Sequence, residues 1–236
     1  MSELRVALVA EGPTDRTIIE SALKAVLGAP FVLTVLQPEA TRPVMGGGWC
    51  GVFKWCRDFA ARASASLEED PILENFDLFI LHLDADVAEM AYEDGGAALV
   101  GASQGLLPLP CSRPCPPPSD AVDGIRKRLI NWLGVATVGP RTVLCVPSKS
   151  SEAWLAAAVL PTDHAVLAGI ECDLHPEARL GQLPKDQRIQ KSRRAYQEHA
   201  PTTKSQWPRV EAACSQALRF RNDVQAATLS DVPAQG

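Results

Sequence analysis

Four short runs along the chain are apolar almost without interruption: residues 4–10 (LRVALVA), 31–36 (FVLTVL), 77–83 (DLFILHL) and 141–146 (RTVLCV). Each is the length of a strand, rich in branched side chains and bounded by turn residues. Unbroken hydrophobicity, without polar residues at every second position, predicts strands buried on both faces, as in a parallel sheet. Between these runs the apolar spacing lengthens to the helical period. Ile18, Ile19, Ala22, Leu23 and Val26 share one face of a helix running from Arg16 to Leu27, with Pro13 in its first turn and Gly28 at its C-terminal end. Val52, Phe53, Cys56, Phe59 and Ala60 do the same on a helix from Trp49 to Leu67. Ser119 is placed to cap a third helix, Asp120 to Leu133, and a fourth opens at Glu152-Ala153-Trp154-Leu155.

Strands alternating with helices predict an α/β fold with a mainly parallel sheet flanked by helices, followed by a mostly helical C-terminal portion. Residues 87–118 interrupt the alternation. They contain Gly95-Gly96 and a proline-rich stretch from Pro108 to Pro118, and read as an irregular insertion. The expected organisation is a core over 1–160 with that insertion, a helical and basic extension over 161–227, and a flexible tail over 228–236.

The polar residues that close the strands carry the chemistry. Glu11 ends the first run, Asp84 and Asp86 the third, and Glu152 follows the fourth after a Ser/Lys turn. In open parallel sheets, sites form beyond the carboxyl ends of the strands. Converging carboxylates repel one another and raise each other's pKa, and a divalent cation removes that conflict. Mg²⁺ takes carboxylate oxygens and keeps waters that a phosphate can displace. The spacing therefore predicts a Mg²⁺ or Mn²⁺ site built from Glu11, Asp84, Asp86 and Glu152. Each acid also has a plainer role open to it. Glu11-Gly12 can shape a turn with Thr14 or Asp15 as helix cap, Asp84 and Asp86 can be solvated loop acids, and Glu152 can serve a helix dipole.

Glu11-Gly12-x-Thr14-Asp15 after a first strand, Asp84-x-Asp86 after a later one, and Glu152-Ala153-Trp154-Leu155 resemble the Toprim domain, over roughly residues 1–160. That domain occurs in topoisomerases, bacterial primases and the overcoming-lysogenization-defect nucleases, and the last segment is similar to small bacterial Toprim-like proteins. The resemblance implies a Rossmann-like core and a metal-dependent nuclease acting on DNA or RNA, with the effector role of a phage-defence system among the settings it suggests. Glu11 would be a ligand or general acid/base, Asp84 and Asp86 metal ligands, and Glu152 a further ligand. Lys191 in the late basic segment would be catalytic. A non-catalytic or partner-gated Toprim-like module is the alternative. Where topoisomerases and primases often carry a third acid, this chain has Ala88, and its two tyrosines are Tyr92 and Tyr196. Both departures favour the nuclease branch. A phosphotransfer receiver would need an acidic pair after the first strand, where one glutamate stands.

Composition narrows the setting. With 46% hydrophobic and 22% charged residues the chain is a folded globular one, and its net charge of −5 excludes a simple polycation. Residues 185–221 nevertheless hold nine Lys and Arg against three acids, so a basic face for a phosphate backbone is expected beside the acidic site. Lys149, Lys191, Arg193 and Arg194 are the candidate nucleic-acid contacts. Gly46-Gly47-Gly48 lacks the Gly-Lys-Ser/Thr ending of a phosphate loop and reads as a turn. Besides nucleic acid, the expected partners are an ATPase or other defence-system subunit and a second copy of the chain, with no membrane. Seven cysteines without an export signal point to free thiols and a cytoplasmic protein. Cys50/Cys56, Cys111/Cys115 and Cys172/His175 lack the paired spacing of a zinc site.

Overall fold

The computed structural model describes residues 3–38 and 46–229. The described residues form four strands, β1 (Leu4–Val9), β2 (Phe31–Gln37), β3 (Leu78–His82) and β4 (Thr142–Cys145), all parallel, in the order β2-β1-β3-β4. The fold is thus the expected α/β architecture, a Rossmann-like parallel sheet flanked by helices with a helical C-terminal part. The strands coincide with the apolar runs to within a residue or two because both their faces are buried. Val6 and Leu8 of β1 join Leu78 and Ile80 of β3 in one core, while Ala7, Val9, Phe79 and Leu81 point into another.

The first core is closed by α1 (Pro13–Val26), α5 (Glu152–Val159), α6 (Pro176–Gln182), α7 (Arg193–Ser205), α8 (Trp207–Ala213) and α9 (Ser215–Leu229). The helices beyond residue 160 therefore share a core with β1. Trp154 is fully buried there, its ring edge-on to Trp207 at 5.4 Å and 5.8 Å from Phe220. The second core holds α2 (Gly48–Ala60) and α4 (Ser119–Leu133). Beyond β4, α9 lies against the sheet edge, and Arg126 of α4 donates both to the Leu144 carbonyl (2.8 Å) and to Asp223 of α9 (3.1 Å).

Four local expectations need correction. Helix α1 begins at Pro13, with Gly12 as its N-cap and no side-chain capping bond, so neither Thr14 nor Asp15 caps it. Helix α2 ends at Ala60, not Leu67, and the chain then turns through Ala63 at φ +57°, which a helix cannot contain. Ser119 is the first residue of α4 and not its cap. Residues 87–118 are less irregular than their glycines and prolines suggest. They hold 3₁₀ turns at Ala85–Glu89 and Tyr92–Gly95 and a short helix, α3 (Ala97–Ala102). Hydrogen bonds hold this segment to the core: Trp132 Nε1 donates to the Tyr92 hydroxyl, and Tyr92 donates to the Leu107 carbonyl, both at 2.9 Å.

The cysteines also depart from expectation. Cys115 and Cys172 form a disulfide that ties the proline-rich stretch to the 3₁₀ turn Ile170–Cys172. Their separation of 57 residues hides this contact from the sequence, because folding alone brings the insertion over the C-terminal helices. The other five cysteines are free. Among the described residues no helix is long and apolar enough to cross a membrane. Thr228 and Leu229 close α9, and the rest of the expected tail lies outside the described residues.

Candidate metal centre

All four strands run the same way, so the chain leaves each of them on one edge of the sheet. Just before that edge, the pairing of β1 with β2 shifts register between Leu8 and Val9. Glu11 follows, half-buried, and its Oε1 accepts the Asp84 backbone N–H at 2.8 Å. This bond fastens the exit of β1 to the exit of β3. The glycine turn packs on the same spot, with the Gly48 N–H donating to the Glu11 carbonyl at 2.9 Å.

Asp84 is buried and centrally placed. Its Oδ1 accepts the Ser151 N–H at 3.0 Å and lies 3.1 Å from His82 Nε2. One donor atom each from Asp15, Asp84 and Glu152 lies within 4.8 Å of the others, and so does one each from Glu11, His82 and Asp84. Asp84 belongs to both sets. Glu152 is fully buried at the start of α5. Its Oε1 accepts the Tyr196 hydroxyl at 2.8 Å and pairs with Lys191 Nζ at 2.9 Å, while Oε2 accepts the Ser150 hydroxyl.

The electrostatics follow from this crowding. Burial first, then the neighbouring Asp84 carboxylate, push the Glu11 carboxyl well above the ordinary glutamate range. Burial and the charges of Asp15, Asp86 and Glu152 do the same to Asp84. Asp86, on the 3₁₀ turn beyond it, is pushed up to about 6, by burial and then by Glu152. Glu152 goes the other way. Burial would raise it, but the Lys191 charge and the bonds from Ser150, Lys191 and Tyr196 outweigh that and hold it below the usual range. Lys191 is raised in turn, because the attraction of Glu152 exceeds the cost of its partial burial.

The sequence placed Glu11, Asp84, Asp86 and Glu152 at one edge, and the structure brings all four there. Asp86 stands beside the two close-packed sets and in neither. Lys191 joins them through Glu152. The other basic candidates make no ion pair with these acids among the described residues. Lys149 is buried, with Nζ 3.0 Å from Glu89. Arg194 is exposed and paired with Glu198 at 3.0 Å, and Arg193 lines a cleft against α1.

Asp15 and His82 were not singled out as ligands. Asp15 lies inside the cluster, its Oδ1 accepting the Ser151 hydroxyl at 2.7 Å. The available signal was its spacing of four residues from Glu11, at the opening of a helix that starts straight off the strand. His82 read as structural because it lies within a strand. It does lie there, yet as the last residue of β3 it reaches Asp84, and its Nδ1 has no hydrogen-bond partner among the described residues.

The donor set fits a hard divalent cation. Three carboxylates within 4.8 Å offer oxygen ligands, and Glu152 retains lone pairs beyond those its three partners use. This buried acidic cluster could hold a metal ion. No cysteine belongs to either close set. No protein family, curated protein or solved structure matches the chain.

Proposed function

We propose that this chain is a Mg²⁺- or Mn²⁺-dependent phosphodiesterase of Toprim type that cleaves DNA or RNA. One observation carries the reading: among the described residues, five carboxyl groups, of Glu11, Asp15, Asp84, Asp86 and Glu152, gather at one sheet edge, and the ammonium that pairs with one of them is that of Lys191. That imbalance is costly unless protons or a cation offset it. Asp15, Asp84 and Glu152 would hold the ion, with Glu11 fixing Asp84 through its backbone. A bound Mg²⁺ or Mn²⁺ supplies Lewis-acid polarisation of a phosphoryl oxygen and a more acidic bound water. Asp86, beside the two close sets and in neither, would accept a proton from the attacking water. Lys191, with its side chain half-exposed, is placed to stabilise charge on a phosphate that approaches Glu152.

The test is cleavage of labelled single- and double-stranded DNA and RNA with Mn²⁺ or Mg²⁺. The wild-type chain should cut and chelation should abolish cutting. Asp84→Ala should lower the rate by about 100-fold or more. Undiminished activity in both Asp84→Ala and Glu11→Ala would exclude the mechanism.

A partner-gated module, serving for example as an effector in phage defence, is the second reading. It is favoured by the partners Glu152 already holds, Ser150, Tyr196 and Lys191, which compete with an ion for its oxygens. Metal binding without cleavage by the isolated chain would support it.

A further inference from the structure

Seen from the acidic edge, α1 and α7 pack side by side and leave a groove between them. Its first part, of about 270 Å³, is walled by Pro13, Arg16, Glu20 and Lys24 of α1 and by Arg193 of α7. Two further depressions continue it past Lys204, toward Arg221 of α9 and toward Gly28, and all three share Lys24. The head of the groove adjoins the carboxylates. Pro13 stands between Glu11 and Asp15 in sequence, and Arg193 is two residues past Lys191, whose ammonium touches Glu152.

The charge along this path is strongly one-sided. Arg16, Lys24, Arg193, Lys204 and Arg221 face Glu20 and Glu211. Arg16, Glu20 and Lys24 recur every four residues, so they form one row on α1, opposite the buried Ile18, Ile19, Ala22 and Leu23. Glu20 is shared between Lys24 at 2.7 Å and Arg16 at 3.7 Å, and one carboxylate cannot neutralise both. Arg193 and Lys204 are exposed, with no ion-pair partner among the described residues. The chain as a whole carries −5, so a net positive strip is a departure from its average.

The nine cations of residues 185–221 do not make such a strip by themselves. Arg194 and Arg219 are paired with Glu198 and Asp123, and Lys191 belongs to the acidic centre. What assembles the groove is the pairing of α7 with a helix nearly two hundred residues earlier, and two of its five cations come from that helix.

We propose that this groove binds the sugar–phosphate backbone of one nucleic-acid strand and leads it to the acidic centre. The proposal rests on the nucleic-acid reading above and names the track that reading needs. A helix of 14 residues is about 21 Å long at about 1.5 Å per residue, so α1 offers a track several phosphates long. The groove holds more exposed charge than aromatic surface, which suits backbone contact without base selection.

Fluorescence anisotropy with a labelled single-stranded oligonucleotide, in chelator so that nothing is cut, tests it. About four phosphate contacts should give a log–log dependence of affinity on salt with a slope of about −3. The pair Lys24→Glu with Lys204→Glu should weaken binding about tenfold or more and flatten that slope. The pair Arg113→Glu with Lys127→Glu makes the same charge change at exposed positions beside α4 and should weaken binding far less. Glu20→Gln should tighten binding, a gain that a folding defect cannot imitate. Equal losses from the two reversed pairs, or no gain from Glu20→Gln, would overturn the groove. The two proposals can fail separately. A wild-type chain that cuts nucleic acid while the Lys24/Lys204 pair keeps full affinity loses the groove alone. One that binds through the groove but never cuts with Mg²⁺ or Mn²⁺ loses the phosphodiesterase alone.

Discussion

Replacing Asp84 with asparagine removes a charge from the crowded edge while keeping an oxygen for the Ser151 N–H. In the metal-free chain this should be stabilising, because burial and three neighbouring acids oppose the ionised form. The same change should abolish any thermal shift produced by Mg²⁺ or Mn²⁺. The pH dependence has a definite sign. Asp86 titrates at about 6 in the folded chain against an ordinary 3.8, so between those values the folded state keeps a proton that the unfolded state has lost. Stability of the metal-free protein therefore falls as pH rises through that window, and Glu11 and Asp84 act in the same direction. Glu152 acts oppositely: its stabilisation is present above its ordinary value and is lost as pH falls through its lowered one. The metal-induced rise in Tm should accordingly be small at about pH 5 and larger at about pH 7.5, by differential scanning fluorimetry. A shift independent of pH would mean that the ion binds elsewhere.

At the scale of elements, Trp154 links α5 to α8 and α9 through Trp207 and Phe220. Trp154→Ala should cost about 3–5 kcal/mol in urea unfolding, since the surrounding rings cannot close over so large a void. The elements themselves were legible where physics acts locally. Doubly buried parallel strands must be continuous apolar runs, so β1 to β4 could be read to within a residue or two. Glu11 and Asp84 were legible because they stand immediately past those runs, and Glu152 because it follows the fourth run after a single turn. Asp15 was not, because an acid near a helix start has an ordinary capping explanation, and only the position of Ser151 shows that its carboxylate faces inward. Lys149 read as a site residue from proximity in sequence, but its side chain points to Glu89. The end of α2 was misjudged because apolar spacing persists to Leu67, which is buried without being helical.

At the scale of the molecule, the Cys115–Cys172 bond closes a long loop between the insertion and the C-terminal helices. Cys115→Ser should lower stability by about 2–4 kcal/mol, mostly by freeing the unfolded chain. Unfolding curves with and without a dithiol reductant should show the wild type falling to the level of the variant, and an unchanged midpoint would refute it. Neither this bond nor the groove between α1 and α7 could be read in advance. Both join segments far apart in sequence, and composition alone does not reveal such a pairing.

The placing of α9 over β4 has one more consequence. β4 is a border strand, and its outer side meets a guanidinium and a helix in place of another strand. An unsatisfied border of this kind is a template on which a second chain can add itself. α9 follows all the described strands in chain order, so it reaches β4 only after that strand has been made and can pair. Until then the growing polypeptide exposes a sticky seam, and clipping after Cys214 would reopen it. By covering that border, α9 should guard against aggregation as well as completing the core.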